Sequence, residues 1–484
     1  MKKKVRSFLL KYNKMSVPLK ASLWYTISNI LVKGISLLST PIFTRVMSQD
    51  QYGTFTLFQS WFNIILIFTS LNIFLGGYTK GMLIYKDDIA GYTASSLFQT
   101  TILTCFFGII YLLKVNFWTS FFGLSPFLML MMFIELLTSP AYEFWASQAR
   151  FEYRYQKVVA ISFISSVMSI VLGVVAVVYT TRKVEARVVS DVFAKALVAL
   201  PLLLLILWKG KKFFVKEYWK FNFNFNIPLI PHYLSNYALN QSDRVMIGKI
   251  IGNAEAAQYS VAYTISMMMT LVTTALNNAM TPYIYQSIDG GREDDIKETL
   301  TSIFFLVAVL CIITMAFAPE IVLVFAGKNY MPAVYIIPPV AASVFFIFLY
   351  SMFSTIEYFY QKTVQIAIAT VIAAVLNVGL NYIFINLYGY YAAGYVTLLS
   401  YIVLALMHFI FYKIIVKDKF GKDKQLYDHK AILLSSAIVL ISMVIMIFTY
   451  RSILIRYSII MLFFILGILK RKKIKKIINS FKKA

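Results

Sequence analysis

Glu152-Tyr153-Arg154-Tyr155-Gln156-Lys157 stands immediately before a long apolar run. It recurs, one residue changed, as Glu357-Tyr358-Phe359-Tyr360-Gln361-Lys362, again before an apolar run. A second pair supports the first: Ser28-Asn29 followed by Gln51-Tyr52, and Ser235-Asn236 followed by Gln258-Tyr259 at the same internal spacing. Both matches set two halves about two hundred residues apart in the same orientation. Tandem bundles of membrane helices are the usual architecture of secondary transporters, with the pathway between the repeats.

The composition around these motifs excludes an ordinary soluble protein. Hydrophobic residues make up 60% of the chain and charged residues 14%, with a mean hydropathy of +0.72. Spanning the hydrocarbon takes about 20 apolar residues per helix, and about fourteen such runs can be drawn. The clearest apolar stretches are 64–75, 158–179, 198–208 and 432–449. The expectation is an all-α polytopic membrane protein. Two six-helix bundles, related by a pseudo-two-fold along the membrane normal, precede two further helices. The lobes are expected at 1–216 and 217–425, with the extra helices and a basic amphipathic tail at 426–484. An even number of crossings per lobe keeps both repeats in one orientation.

A net charge of +25 invites a nucleic-acid reading, and its distribution argues against one. The basic residues crowd residues 2–20, 150–157, 209–220, 413–430 and 470–483, which fall on one side if the helices alternate. That is the positive-inside pattern, and it puts those segments and both termini in the cytoplasm. Arg182-Lys183-Val184-Glu185-Ala186-Arg187 breaks it. The charge therefore reports orientation, and no nucleic-acid partner is expected. Residues 2–20 lack the apolar core and small-residue site of a cleavable signal. Cys105 and Cys311 sit in apolar runs and read as small core residues, not as a disulfide.

Charges inside the spans are the informative ones, because a Lys, Arg or Asp near the bilayer centre costs about 2.5–3.5 kcal/mol on insertion scales. Lys33 lies midway along the first helix with no acid between Lys20 and Asp50. Arg244 lies in the seventh beside Asp243; adjacent residues point about 100° apart on a helix and are poorly arranged to pair. These two cations are the best candidates for a functional surface, from equivalent places in the two halves. Arg45 waits at the outer end of the first helix. Asp191 precedes Lys195 by one turn in the favourable acid-first order, which reads as a self-neutralising structural pair. Glu135 needs a cation from elsewhere, Lys33 or Lys195, or a proton. Amides and hydroxyls at Asn29, Asn63 and Asn240, with tyrosines nearby, suit sugars, while cations suit phosphate; Asp243 is counted with them among the candidate substrate-binding residues. Each amide alone is as readily explained by hydrogen bonding between helices.

Enzyme signals are weak. His232, His408 and His429 have no metal-ligand spacing, so no metal site is expected. His232, at the cytoplasmic start of the seventh helix, reads as helix-end packing before gating or substrate contact. No GxxxxGK[ST] loop is present, so uphill work would draw on a proton or sodium gradient or on the substrate's own gradient, with no cofactor.

Pro228-Leu229-Ile230-Pro231-His232-Tyr233-Leu234-Ser235, continued by Leu239-Asn240-Gln241-Ser242-Asp243-Arg244-Val245-Met246-Ile247-Gly248, resembles the bacterial polysaccharide repeat-unit flippases called Wzx proteins. These belong to the multidrug/oligosaccharidyl-lipid/polysaccharide exporter superfamily. Asn29, Lys33-Gly34, Pro41-Ile42-Phe43-Thr44-Arg45 and Tyr52-Gly53 resemble that family's first helix and following turn. The resemblance implies a V-shaped pair of bundles that alternately open inward and outward in the bacterial cytoplasmic membrane. The cargo would be an undecaprenyl-pyrophosphate-linked oligosaccharide, as in O-antigen or capsule pathways, with Lys33, Arg45 and Arg244 holding its head in a cationic cavity and the prenyl tail left among membrane lipids. A polysaccharide polymerase and a chain-length regulator are the protein partners that such a role implies. A lipid II-type flippase is the nearest rival. A multidrug exporter calls for acidic residues in the cleft, and a membrane polymerase calls for a sizeable outer loop that this chain lacks.

Overall fold

The computed structural model describes residues 17–75, 77–152, 154–421 and 424–469. Among them every regular element is a helix and no strand forms. The chain folds as two compact units that divide between Tyr237 and Ala238. In the first lie α1 (Val17–Val46), α2 (Gln49–Ser70), α3 (Gly77–Ile84), α4 (Ile89–Leu113), α5 (Val115–Phe122), α6 (Pro126–Phe151), α7 (Tyr155–Val178), α8 (Lys183–Gly210) and α9 (Lys216–Asn226). Helix α10 (Ile230–Ile250) carries the division. The second unit continues with α11 (Asn253–Met267), α12 (Met269–Asp289), α13 (Glu293–Ala316), α14 (Ala318–Ala326), α15 (Ile337–Phe359), α16 (Thr363–Tyr388), α17 (Tyr391–Phe420), α18 (His429–Thr449) and α19 (Ile453–Leu469).

Local chemistry explains most of the helix ends. Ser48 accepts from Gln51 N while Gln51 Oε1 accepts from Ser48 N, a reciprocal cap that starts α2. Residues 49–53, which carry turn-favouring Asp50 and Gly53, are therefore the start of that helix. Ser125 with Pro126 starts α6, and Asp428 accepts two backbone N–H groups to start α18.

The apolar run 64–75 is not one helix. Leu71 and Asn72 both adopt left-handed conformations, φ 52° and 47°, so α2 stops at Ser70. The remainder folds back, and Ser147 donates to the Phe74 carbonyl at 2.8 Å. Asparagine tolerates that conformation, and Ser70 Oγ accepts from its N–H.

The hexapeptide copies both lie at helix junctions, but three residues out of register. Glu152 caps the end of α6, whereas Glu357 lies inside the last turn of α15. The structurally matched residues are Arg154 and Lys362, which precede α7 and α16 with the same ψ of 49°.

Among the described residues, ten helical segments are long and apolar enough to cross a membrane, so the expected fourteen is not reached there on that criterion. The other long helices are α1, α2, α10 and α19. The first three are those that carry Lys33, Gln59, Asn63, Asn240 and Arg244, and α19 has 17 residues. Helix α15, with 83% of its apolar window buried, is the interior helix of its unit, whereas α7, at 22%, turns outward. Ile164, Val167, Val171, Val175 and Val178 form an exposed stripe on α7 at helical spacing, which suits acyl chains. Cys105 is also exposed on α4, a correction to its reading as a core residue; Cys311 is buried, and both are free thiols.

Cross-links place loops of each unit at common ends. Lys212 and Tyr218 both reach Asp88, so the 209–226 segment meets the turn before α4. That segment is a docked helix, not a loose linker: buried Asn222 donates to Ser96 and Gln99 and accepts from Tyr92. At the other end Lys183 donates to the Val46 carbonyl at 2.6 Å. In unit 2, Lys424 pairs with Glu293 and Asp294, while Tyr390 reaches Gln258 at the opposite end. These pairings follow the alternation of up and down helices that the positive-inside count assumes. The tail 470–484 lies outside the described residues.

Close packing of α8 on α4 depends on Gly210, where an added Cβ would lie 2.3 Å from the Ala90 carbonyl oxygen and from Ala94 Cβ. Neither obstacle can swing away. Gly210→Ala is expected to cost about 1–3 kcal/mol of stability, seen as a lower melting temperature in detergent. An unchanged melting curve would mean that α8 ends elsewhere.

Candidate functional site

Unit 1 encloses a cluster of four charges. Arg187, Asp191 and Lys195 recur every fourth residue along α8 and so share one face. Lys195 Nζ sits 2.6 Å from Glu135 Oε1 on α6 and 2.9 Å from Asp191 Oδ2. Arg187 Nη1 is 3.7 Å from Asp191 Oδ1, and its guanidinium lies over the rings of Phe43 and Phe55. Gln59 donates to Asp191 at 2.9 Å, and Ser169 also donates to it. Glu135 and Asp191 are 1% and 4% exposed, so leaving either carboxylate without its cation would be costly. Glu135 thus takes Lys195 as its mate, and the Asp191–Lys195 pair forms as its spacing predicts.

Arg187 is the residue that the sequence reading placed wrongly. It was assigned to the loop that broke the charge pattern, yet it is 5% exposed and belongs to this cluster. The fourfold spacing to Asp191 was the signal that could have found it.

Unit 2 is built differently. Asp243, 1% exposed, accepts from Thr397 at 2.7 Å and from Tyr259 and Asn381, with no ion pair among the described residues. Asn377 and Asn381 are fully buried beside it, and Asn377 Nδ2 and Asn381 Oδ1 have no partner among the described residues. Both oxygens of Asp243 accept from buried donors, so the carboxylate is enclosed within unit 2. The cluster is rich in oxygen, with one carboxylate, amide oxygens and hydroxyls, and Asn381 Oδ1 is left without a partner among the described residues.

On the neighbouring face of α10, Arg244 behaves oppositely. It makes no ion pair among the described residues; it donates to Gln241, and its guanidinium lies 4.6 Å from the Tyr263 ring centroid. Its Nε is buried without a partner. Tyr263 and Tyr401 both donate to Asn240 Oδ1, at 3.1 and 3.3 Å. Asn240, Arg244 and the two tyrosines therefore form one connected patch, with Asp243 pointing away from it as adjacent helical positions require.

The remaining expected residues are dispersed. Arg45 is exposed and donates to the Pro41 carbonyl one turn back. Asn63 donates to the Gln59 carbonyl. His232 Nε2 lies 3.1 Å from Asn236 Nδ2, a contact at the start of α10, and touches neither cluster. The side chains of Lys33 and Asn29 lie outside the described residues.

The sequence model of a family described as polysaccharide biosynthesis protein matches residues 19–288, and that of a family described as MatE matches residues 228–383. A membrane protein of Haemophilus influenzae, described as uncharacterized, is 21% identical over 377 residues, which is 75% of this chain and 89% of its own. Among solved structures, the lipid II flippase MurJ in an inward closed conformation aligns with TM-score 0.68 and 14% identity, over 93% of this chain and 100% of its own. An inward-facing multidrug resistance MATE transporter aligns with TM-score 0.60 and 15% identity, over 81% of this chain and 96% of its own. At these identities the structural likeness is one of fold.

Proposed function

Because the chain belongs to the polysaccharide biosynthesis protein family, we propose that it is a flippase moving an undecaprenyl-pyrophosphate-linked oligosaccharide repeat unit from the inner to the outer leaflet by alternating access. The observation that carries this reading is Arg244, a cation within a transmembrane-length helix that has no carboxylate partner among the described residues. An unpaired guanidinium is expensive in an apolar setting unless an anion is its intended partner. Pyrophosphate is such an anion, and the half-buried Asn240, held in place by Tyr263 and Tyr401, adds an amide of the kind that sugars prefer. Lys33 and Arg45 are the further cations assigned to the anionic head on this reading. The site of action is the bacterial cytoplasmic membrane with both termini inside, and the polymerase and chain-length regulator act on the delivered unit.

Reconstituting the full chain in vesicles with a lipid-linked oligosaccharide tests the cargo directly. Transfer of the sugar head to the far leaflet supports it. Transfer of lipid II but not of the oligosaccharide lipid would move the assignment to the lipid II-type reading, and extrusion of a cationic drug would move it to the exporter.

The Asp243 cluster supplies the coupling ion on this reading, a proton or a sodium-like cation. Asp243→Asn keeps the side chain's size but removes its charge, so the protein should remain folded while transport loses its response to an imposed gradient. Sodium and proton gradients applied separately identify the ion. A variant that responds to both as wild type does would place coupling elsewhere.

A further inference from the structure

Unit 2 contains a second buried carboxyl group that neither the cargo patch nor the Asp243 cluster uses. Glu357, in the last turn of α15, and His408, midway along α17, are both 0% exposed and meet through Oε1 and Nδ1 at 2.7 Å. The far atom of each, Glu357 Oε2 and His408 Nε2, is buried with no hydrogen-bond partner among the described residues.

The surroundings are rings. Tyr350 stacks on the imidazole with centroids 5.6 Å apart and in turn stacks on Tyr401; Phe353 packs on Phe409 and Tyr412. Titratable neighbours on the packed elements are phenols, one imidazole and Lys413 of α17, whose Nζ lies 5.8 Å from the Phe409 ring centroid. Tyr412 accepts from Tyr427 N, Tyr427 donates to the Met352 carbonyl, Tyr358 follows Glu357 in sequence, and His429 of α18 meets the Phe409 and Tyr412 rings edge-on. No Lys or Arg pairs with Glu357 among the described residues.

Charge counting then limits what the pair can do. Without a proton it carries one negative charge, and with two protons one positive charge; either is unfavourable in a ring-lined interior. One shared proton makes it neutral overall, whether held as acid and neutral imidazole or as carboxylate and imidazolium. Exchange of that proton requires water at Oε2 or Nε2, and both atoms are sealed between α15 and α17.

We propose that Glu357 and His408 form a proton-binding site of unit 2, separate from Asp243, whose single proton exchanges only when α15 and α17 open to water in the transport cycle. The site is loaded by a proton and nothing else; no bond between heavy atoms forms or breaks.

The chain has three histidines, so isotope-labelled histidine in the full-length protein in lipid nanodiscs gives three ring signals. His232→Gln and His429→Gln assign them while leaving the pair intact. His232 and His429 are partly exposed, whereas His408 is buried against Glu357, so the three rings report different surroundings. Glu357→Gln should move the His408 ring signals and leave the other two in place, because it replaces the carboxylate that shares the proton. If the His408 ring signals are the same in wild type and in Glu357→Gln, no shared proton exists.

Transport in vesicles supplies the second arm. The Glu357→Gln, His408→Gln double variant keeps a neutral polar pair and should flatten or shift the pH profile of transport. An unchanged profile would overturn the role in the cycle. Because the ring signals are read without cargo, a failure of the flippase reading leaves the proton site tested.

Discussion

Arg244→Ala is expected to reduce surface polysaccharide to background in a flippase-deficient strain, with the protein still present in the membrane at near wild-type level. The two halves of this expectation have separate causes. On the proposed reading transport should fail because a charge-assisted contact to an anionic head group contributes about 1.5–3 kcal/mol, which is about a ten- to hundredfold change in rate or occupancy. The protein persists because no carboxylate depends on Arg244 among the described residues; Gln241 and Tyr263 alone lose a contact. Arg244→Lys should recover part of the activity, since lysine keeps the charge but not the planar face that lies over Tyr263. Lys33→Ala should behave like Arg244→Ala. Full complementation by both alanine variants would remove the cationic path.

The second large effect is one of stability. Lys195→Met leaves Glu135, 1% exposed, with no cation, and takes from Asp191 its nearer partner. Breaking a buried ion pair from one side costs about 3–5 kcal/mol; here the upper end is discounted because Lys195 is 35% exposed and Glu135 can take a proton. A clear loss of folded protein in detergent is therefore expected. Adding Glu135→Gln should restore part of it, because the second change removes the orphaned charge. A double-mutant cycle with coupling near zero would show that the cluster is not held by this pair. The contrast with Arg244→Ala is diagnostic: one cation is spent on folding, the other is left for a ligand.

The fold class was legible because it depends on composition and on local pattern. Apolar runs such as 158–179 and 432–449 become α7 and α18 almost residue for residue, since a helix satisfies its own backbone in lipid whatever surrounds it. The Asp191–Lys195 pair was legible for the same reason, as its spacing lies on one helix face. The mate of Glu135 was not, because Lys195 is 60 residues away in the chain and the contact exists only once α6 and α8 pack. The surroundings of Asp243 were not legible for a related reason: Thr397 and Asn381, which enclose it, are brought from α17 and α16. The hexapeptide drew attention to the right junctions while standing three residues out of register, since helix packing, not the motif, sets where each helix stops.

By itself the sequence determined that this is a helical membrane protein with its basic residues gathered at a few connections, and that Asp243 and Arg244 would face different ways. These follow from hydrophobic length and from the pitch of a single helix. Tertiary structure alone decided which partner each buried charged group meets: Lys195 for Glu135, both Arg187 and Lys195 for Asp191, the His408 ring for Glu357, and no acid for Arg244 among the described residues. The physical reason is that an ion pair in a low-dielectric interior is a property of two helices in contact, and its energy has no counterpart in either segment read alone.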